Sequence, residues 1–320
     1  MTVQQETIWK SRRLGHGNFL VSNIGQTMDF YVNVAGFEDV FQESHIRAGF
    51  VSNGNTHHDL GFVEAQPRPD LPVASSLTPG LNHLAFEVEN DADLVAGWRR
   101  THDAGVHIDF MRDHQVTHSI YLSDPDGNRL EVYSDIIKDW RGFFNAGDRD
   151  IGGPWLPGET DPSTDIRYHI DPEIKRVENA AFHPLRVTHG VLVAADYDAM
   201  VGYYTKVVGL HVAFSAPDES FTVLSGTVPG RDLAIFRAGP GREPGLHHLG
   251  CEMENEQELD DAEGRLRQAG IQPEIQFAHS TRRSIFLRDP DGVRIEFYAD
   301  RAPSLPALCE MDTALALHLA

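Results

Sequence analysis

Three residues of types that bind divalent metals recur at matched places along the chain: His16, His83 and Glu131, and again His189, His248 and Glu296. The interval from His83 to Glu131 is 48 residues, and the same interval separates His248 from Glu296. Two imidazoles and one carboxylate on one side of a metal leave coordination positions open on the other. Non-haem Fe(II) oxygenases use that donor set to bring two reactants to one ion. Taken alone, His16 reads as a strand-end histidine, and Glu131, in an Arg-Leu-Glu run, as part of a solvated face. Recurrence of all three residues in register sets His16 and His83 apart from most of the 17 histidines.

The recurrence belongs to a longer repeat. Residues 119–134 (SIYLSDPDGNRLEVYS) match 284–299 (SIFLRDPDGVRIEFYA), and 82–90 (NHLAFEVEN) match 247–255 (HHLGCEMEN), both at an offset of 165. Nearer the start the offset is 173: His16-Gly17 matches His189-Gly190, and Asp59-Leu60-Gly61-Phe62 matches Asp232-Leu233-Ala234-Ile235. A length difference of eight residues, in the Pro-rich stretch around 66–80, reconciles the two offsets. Matches in register at a fixed period mark an internal duplication.

The elements that must position these donors follow from hydrophobic periodicity. A strand over 17–21 leads into a helix whose apolar residues Ile24, Met28, Tyr31 and Val32 share one face, as Tyr197, Val201, Tyr204 and Val208 do in the second copy. Gly36 and Gly209 stand where a helix C-terminus is expected. Strands follow over 48–52, 59–64 and 82–89, then a helix over 92–104 ended by Gly105. Strands over 119–123 and 129–133 are joined by the Asp-Pro-Asp-Gly run at 124–127, which reads as a turn and not as a metal loop. Leu84, Phe86 and Val88 share one strand face, so His83 points to the other; Leu130 and Val132 likewise leave Glu131 opposite them. The expected fold is therefore α+β, with two tandem domains, each of paired βαβββ modules forming a curved mixed sheet around a metal site. Helices should cover the apolar face and the donors should line the concave one. The expected divisions are residues 1–135, a connector over 136–184 docked by Trp140, Phe143 and Phe144, a second domain over 185–300, and a tail over 301–320. The tail is mildly apolar and is expected to pack on a neighbouring surface or a second subunit.

Composition excludes some partners. The chain has 320 residues, 41% of them hydrophobic and 23% charged, with a formal net charge of −21. That charge argues against nucleic acid and against an anionic membrane surface. Two cysteines, Cys251 and Cys309, make no disulfide framework and fit a reducing cytoplasm. The polar first ten residues do not read as a secretion signal, and no apolar run approaches the ~18 residues of a membrane span. The acidic surface and the apolar tail allow an assembly, and a homo-oligomer is the expected state.

The paired βαβββ modules with His, His and Glu resemble the vicinal oxygen chelate superfamily, and within it the two-domain type I extradiol dioxygenases. The resemblance covers roughly residues 12–135 and 185–300. Its most specific segment is 114–131, HQVTHSIYLSDPDGNRLE: a His, an aliphatic-Tyr pair, Asp-Pro-x-Gly and the ligand Glu. His57-His58-Asp59-Leu60 is similar to the family's pocket-histidine segment, and Arg112 departs from a smaller or apolar residue in the pattern. The resemblance implies an enzyme that uses O2 and Fe(II), with Mn(II) as the substitute, to open the ring of a small aromatic diol of the catechol type. It implies His16, His83 and Glu131 as the metal ligands. His58 would attend the oxygen side or relay protons, and His114 and Tyr121 would hydrogen-bond the substrate oxygens and assist acid catalysis. His118 competes with His114, but His279 matches His114 whereas Arg283 matches His118. Of the neighbours His57 and His58, one is expected at the surface.

The first copy is the richer in these groups. Where it has His58 the second has Arg231, and where it has Tyr121 the second has Phe286. Phenylalanine cannot donate a hydrogen bond, and an arginine beside a dication is unfavourable and cannot act as a base. The site is therefore expected in the first copy. The same scaffold also supports a glyoxalase-type isomerase or lyase using another divalent metal, and non-catalytic binding of an aromatic compound or drug. The His, His, Glu pattern with Tyr121 favours the oxygenase.

Overall fold

The computed structural model describes residues 7–66, 78–146, 152–301 and 305–320. Most of the Pro-rich stretch that separates the two repeat offsets lies outside them.

The first copy runs β1 (Arg13–Val21), α1 (Ile24–Asn33), β2 (Asp39–Glu43), β3 (Ala48–Val51), β4 (Leu60–Glu64), β5 (Gly80–Glu87), α2 (Asp91–Ala104), β6 (Phe110–Asp113), β7 (Thr117–Ser123) and β8 (Arg129–Asp135). This is βαβββ twice over, as the periodicity predicts, with two short strands, β2 and β6, in addition to the predicted ones. The connector holds α3 (Trp140–Asn145), with Trp140 buried, and β9 (Gly153–Pro154), which pairs with β6 and extends the first sheet. The second copy runs β10 (Arg186–Ala194), α4 (Tyr197–Tyr203), β11 (His211–Ser215), β12 (Phe221–Ser225), β13 (Leu233–Arg237), β14 (Gly245–Glu252), α5 (Glu256–Ala269), β15 (Ile275–Ala278), β16 (Arg282–Arg288) and β17 (Arg294–Asp300). A π-helical turn, Tyr204–Val208, continues α4 and closes on Gly209, whose φ of 82° suits glycine. The first copy has no such turn at the matching place; α1 ends at Val34 in ordinary helical conformation.

Each copy is one curved sheet. The orders are β2-β3-β4-β1-β5-β8-β7-β6-β9 and β11-β12-β13-β10-β14-β17-β16-β15. The two modules of a copy meet at β1–β5 and β10–β14, both antiparallel. The longer helices are set by their sequence. Asn90 and Asn255 cap the starts of α2 and α5 by accepting from Asp93 N and Glu258 N, and Gly105 and Gly270 end them in the left-handed conformation.

Strand alternation separates two environments. Phe19, Val21, Leu60, Phe62, Leu84, Phe86, Leu130 and Val132 face the helices and belong to one apolar core that runs through both copies. Residues of opposite parity line the concave faces, and there the copies diverge. Part of the second cup is apolar: Val191, Val193, Phe221, Val223, Ala234 and Phe236 pack against Leu308, Ala316, Leu317, Leu319 and Ala320. The tail, including α6 (Thr313–Leu319), thus packs on a neighbouring surface, the concave face of its own second copy.

The two copies dock reciprocally. Asp59 Oδ1 accepts from Val187 N at 3.3 Å, and Asp232 Oδ1 accepts from Leu14 N at 2.7 Å. Tyr31 donates to Asp289 at 3.2 Å, and Tyr204 to Asp124 at 3.0 Å. The first Asp of each Asp-Pro-Asp-Gly run therefore closes its turn by accepting from the residues that follow, Asn128 N or Val293 N, and also anchors the other copy. No described helix is long and apolar enough to cross a membrane.

Candidate metal centre

His16, His83 and Glu131 come from three adjacent strands, β1, β5 and β8, at the centre of the first sheet. The register puts Ala85 between His16 on one side and Glu131 on the other, and all three donors are buried. A β-bulge between Leu14 and His16 breaks the pairing just before the ligand candidate and turns its side chain into the cup.

The geometry converges on one oxygen. Glu131 Oε2 lies 3.3 Å from His16 Nε2 and 3.0 Å from His83 Nε2. Asn82 Oδ1 can only accept, so its 2.7 Å contact to His83 Nδ1 places the proton on Nδ1 and leaves Nε2 bare. That Nε2 is buried and has no hydrogen-bond partner. A bare imidazole nitrogen facing a carboxylate oxygen in a buried place needs a cation between them. The donor set, two nitrogens and one oxygen, thus fits a divalent metal held on one face.

The electrostatics match. Burial pushes the His16 imidazole down to about 4, against the opposing pull of Glu131, so it stays neutral and able to ligate. Burial alone would raise the Glu131 carboxyl, but the buried imidazoles of His16 and then His83 outweigh it and hold it well below its ordinary value.

The other expected residues surround this triad. His114 Nε2 and Tyr121 Oη share a hydrogen bond of 3.0 Å, and Tyr121 stands directly opposite Glu131 in the β7–β8 pairing. Burial and then the Glu131 charge raise the Tyr121 phenol well above its ordinary value, so it remains a donor at neutral pH. Burial lowers His114. His58 packs its ring on His16, with centroids 4.0 Å apart. Burial, then the charges of His16 and His57, push it well below its usual range. Neither His57 nor His58 is at the surface, contrary to the expectation for the pair: His57 is buried and His58 half-buried. His57 Nδ1 lies 3.3 Å from Asp135 and 3.2 Å from Thr56 Oγ1, contacts that hold it behind His58. His16, His57 and His58 form a second cluster of possible ligands, but it lacks a carboxylate. His118 is tied elsewhere, 2.7 Å from Asp91 and stacked on Trp155 at 4.2 Å.

The second triad is built differently. Glu296 Oε2 lies 3.3 Å from His189 Nε2 and 3.6 Å from His248 Nε2, but the same oxygen takes the Arg282 guanidinium at 3.2 Å. Ser284 donates to the other oxygen. Arg282 is buried, 1% exposed, and crosses the Tyr298 ring at 3.8 Å. A fixed cation already balances Glu296, and a dication beside it would meet its charge at close range. His189, His248 and Glu296 still lie close enough together to hold an ion, but this fixed cation disfavours one there. His189 also lies lower in its cup: a Cβ on Gly250 would come 2.0 Å from His189 Cε1, where the first copy has Ala85. Arg231, at the place of His58, donates to Leu319 O and so helps hold the tail. Sequence comparison singled out Arg231 and Phe286 but passed over Arg282, although Thr117 stands at its place in the first copy and the difference was there to read.

Comparison with known proteins agrees with this fold. The chain is 25% identical over 301 residues to the catechol-2,3-dioxygenase of Bacillus subtilis (strain 168), covering 91% of this chain and 99% of that one. It is 27% identical over 132 residues to the metallothiol transferase FosB of Staphylococcus haemolyticus (strain JCSC1435), covering 41% of this chain and 89% of that one. The solved 2,3-dioxygenase LapB of Pseudomonas sp. KL28 superposes with a TM-score of 0.65 at 18% identity, covering 92% of this chain and 96% of that one. The family model described as Glyoxalase/Bleomycin resistance protein/Dioxygenase superfamily matches residues 13–132 and 186–297, the two sheets built above, and the chain belongs to that superfamily.

Proposed function

We propose that this chain is an extradiol ring-cleaving dioxygenase, which opens a catechol-type aromatic diol with O2 and incorporates both oxygen atoms, and that its site is in the first copy. The observation that carries this reading is the pairing of the His16–His83–Glu131 triad, whose carboxylate has no arginine partner among the described residues, with a hydrogen-bonded His114–Tyr121 couple on the same concave face. Similarity to a catechol-2,3-dioxygenase along nearly the whole of both chains supports it.

His16, His83 and Glu131 would hold Fe(II), with Mn(II) as the alternative occupant. When bound, the metal supplies the Lewis acidity that favours a deprotonated diol oxygen, and a common point for diol and dioxygen. The protein's own groups do the rest. Tyr121, kept protonated, donates to an oxygen of the diol, and His114 Nε2, 3.0 Å away, takes or returns that proton. His58, neutral and against His16, is placed to move a proton on the opposite side. Phe110, stacked on Tyr121 at 4.3 Å, and Phe50, 5.1 Å from His58, supply apolar walls that limit water.

A second reading has an observation of its own: similarity to a metallothiol transferase over part of the chain. A transferase or glyoxalase-type isomerase on this scaffold would not need the His114–Tyr121 couple. The deciding experiment is anaerobic reconstitution with iron, then exposure to air with a panel of catechols. Yellow ring-opened product with about one iron per chain is expected. No colour with any catechol, together with tightly held zinc or nickel, would move the assignment to the transferase or isomerase.

A further inference from the structure

The concave face of the first copy carries two arginines, Arg112 and Arg129, with no ion pair among the described residues. Arg129 lies two residues before Glu131 on the same face of β8, beside His83 in the β5–β8 pairing. Arg112 faces the same way, since its partner across β6–β7 is Ser119, whose own partner is Tyr133 against His16. The Arg129 guanidinium stands 5.5 Å from the Phe110 ring, which stacks on Tyr121, and its Nε is buried with no hydrogen-bond partner. Among the described residues, neither arginine has an ion pair.

The second copy shows what a structural arginine looks like at this position. Arg294, the match of Arg129, bonds both oxygens of Glu274 at 2.8 and 2.9 Å and reaches His247 at 2.6 Å. The first copy has Asp109 at the place of Glu274, and Ser123 engages it. Where the first copy has Arg112, the second has Phe277. The cup that keeps the chemical groups thus has its matching carboxylate, Asp109, engaged by Ser123 and carries an arginine where the other has Phe277, in a chain of net charge −21. Partly buried guanidiniums without partners are costly to keep unless an anion comes to them, and carboxylate is the group they bind best.

Resting on the dioxygenase reading, we propose that the diol carries an anionic substituent, a carboxylate, and that Arg112 and Arg129 receive it. The rival account is that the two cations only balance Glu131; it predicts no distinction between charged and neutral diols.

The test compares 3,4-dihydroxyphenylacetate with 4-methylcatechol on the iron-loaded full chain, by kcat/KM and by anaerobic calorimetric binding. The variants are R112Q, R129Q, the double variant and R129K, each checked by thermal melting. The carboxylated diol should be preferred by about tenfold or more, and the preference should weaken with salt. The double variant should lower kcat/KM for the carboxylated diol roughly 10- to 100-fold, mainly through KM, and for the neutral diol by much less. R129K, keeping the charge, should retain part of the preference. Preference for the neutral diol, or variants that slow both diols equally, would overturn the inference and leave the dioxygenase reading intact. Neither diol bound or turned over by the wild type would overturn both.

Discussion

Arg282 Nη1 lies 3.2 Å from Glu296 Oε2, with both side chains buried, whereas among the described residues no arginine pairs with Glu131 in the first copy. In the first copy the matching residue is Thr117, too short and uncharged to do the same. Wild-type protein should therefore bind one divalent metal per chain. Removing Arg282 leaves Glu296 as an uncompensated buried charge, so apo R282T should lose about 3–5 kcal/mol of stability. Added divalent metal should restore part of that loss, and elemental analysis should rise toward two ions per chain. An R282T protein that still binds a single ion would show that something other than Arg282 closes the second triad.

The triads themselves can be separated by alanine. H83A removes the bare Nε2 of the first site and should abolish metal binding and ring cleavage together. H248A touches a triad already neutralised by Arg282 and should leave the metal content at its wild-type value. Metal counts that fall in H248A and stand in H83A would move the site to the second copy.

Much of this architecture was legible in the chain. The offsets of 165 and 173 give the duplication, and strand parity puts His83 and Glu131 on the face away from Leu84 and Leu130. The strands β2 and β6, beyond the predicted ones, are short segments whose residues are all partly or largely exposed, so no burial alternation marks them. The π-helical turn at Tyr204–Val208 leaves the apolar spacing of its helix almost unchanged, and spacing is all that a sequence reading weighs. The fate of the second cup was written in matched pairs that go unremarked unless the two copies are aligned through the cup: Asn18 against Val191, and Thr117 against Arg282. His57 was obscured because adjacent strand residues usually face opposite ways; in the irregular run before β4, both His57 and His58 are turned inward.

The couple beside the triad should matter for turnover and not for assembly. Y121F removes the phenol proton and H114A its partner, and neither residue belongs to the triad. Each should keep its iron while kcat falls about 10²- to 10⁴-fold, the range for loss of a positioned acid or base. Iron content by colorimetry and stopped-flow absorbance at the product band check the two halves of the claim. Normal turnover in H114A would remove that histidine from the reaction.

Arg294 and Glu274 make a pH prediction that contrasts with the unpaired Arg129. Hydrogen bonds from Arg294 hold the Glu274 carboxyl down to about 2, against an unfolded value near ~4.3. A depressed carboxyl stabilises the fold above its unfolded value and loses that contribution as pH falls toward the folded one. The pair is partly exposed, so its contribution is about 1 kcal/mol after screening. E274Q should therefore narrow the gap between urea midpoints at pH 6 and pH 3 relative to wild type. An unchanged gap would mean that solvent screens the pair completely.

The tail offers a test of stability apart from chemistry. Leu317 packs into the apolar part of the second cup among Val191, Phe221 and Phe236 and is 5% exposed. Truncation to alanine removes buried methyl groups and leaves a cavity, which costs about 2–5 kcal/mol when the surroundings cannot collapse. The cup walls are strands held by ladders on both sides, so little collapse is expected and the loss should fall within that range. L317A should lower the urea midpoint while metal content and kcat stay at wild-type values, because the first triad draws its residues from the other sheet. A loss of metal together with stability would instead show that the second copy, packed through β1 and β10, holds the first cup in shape.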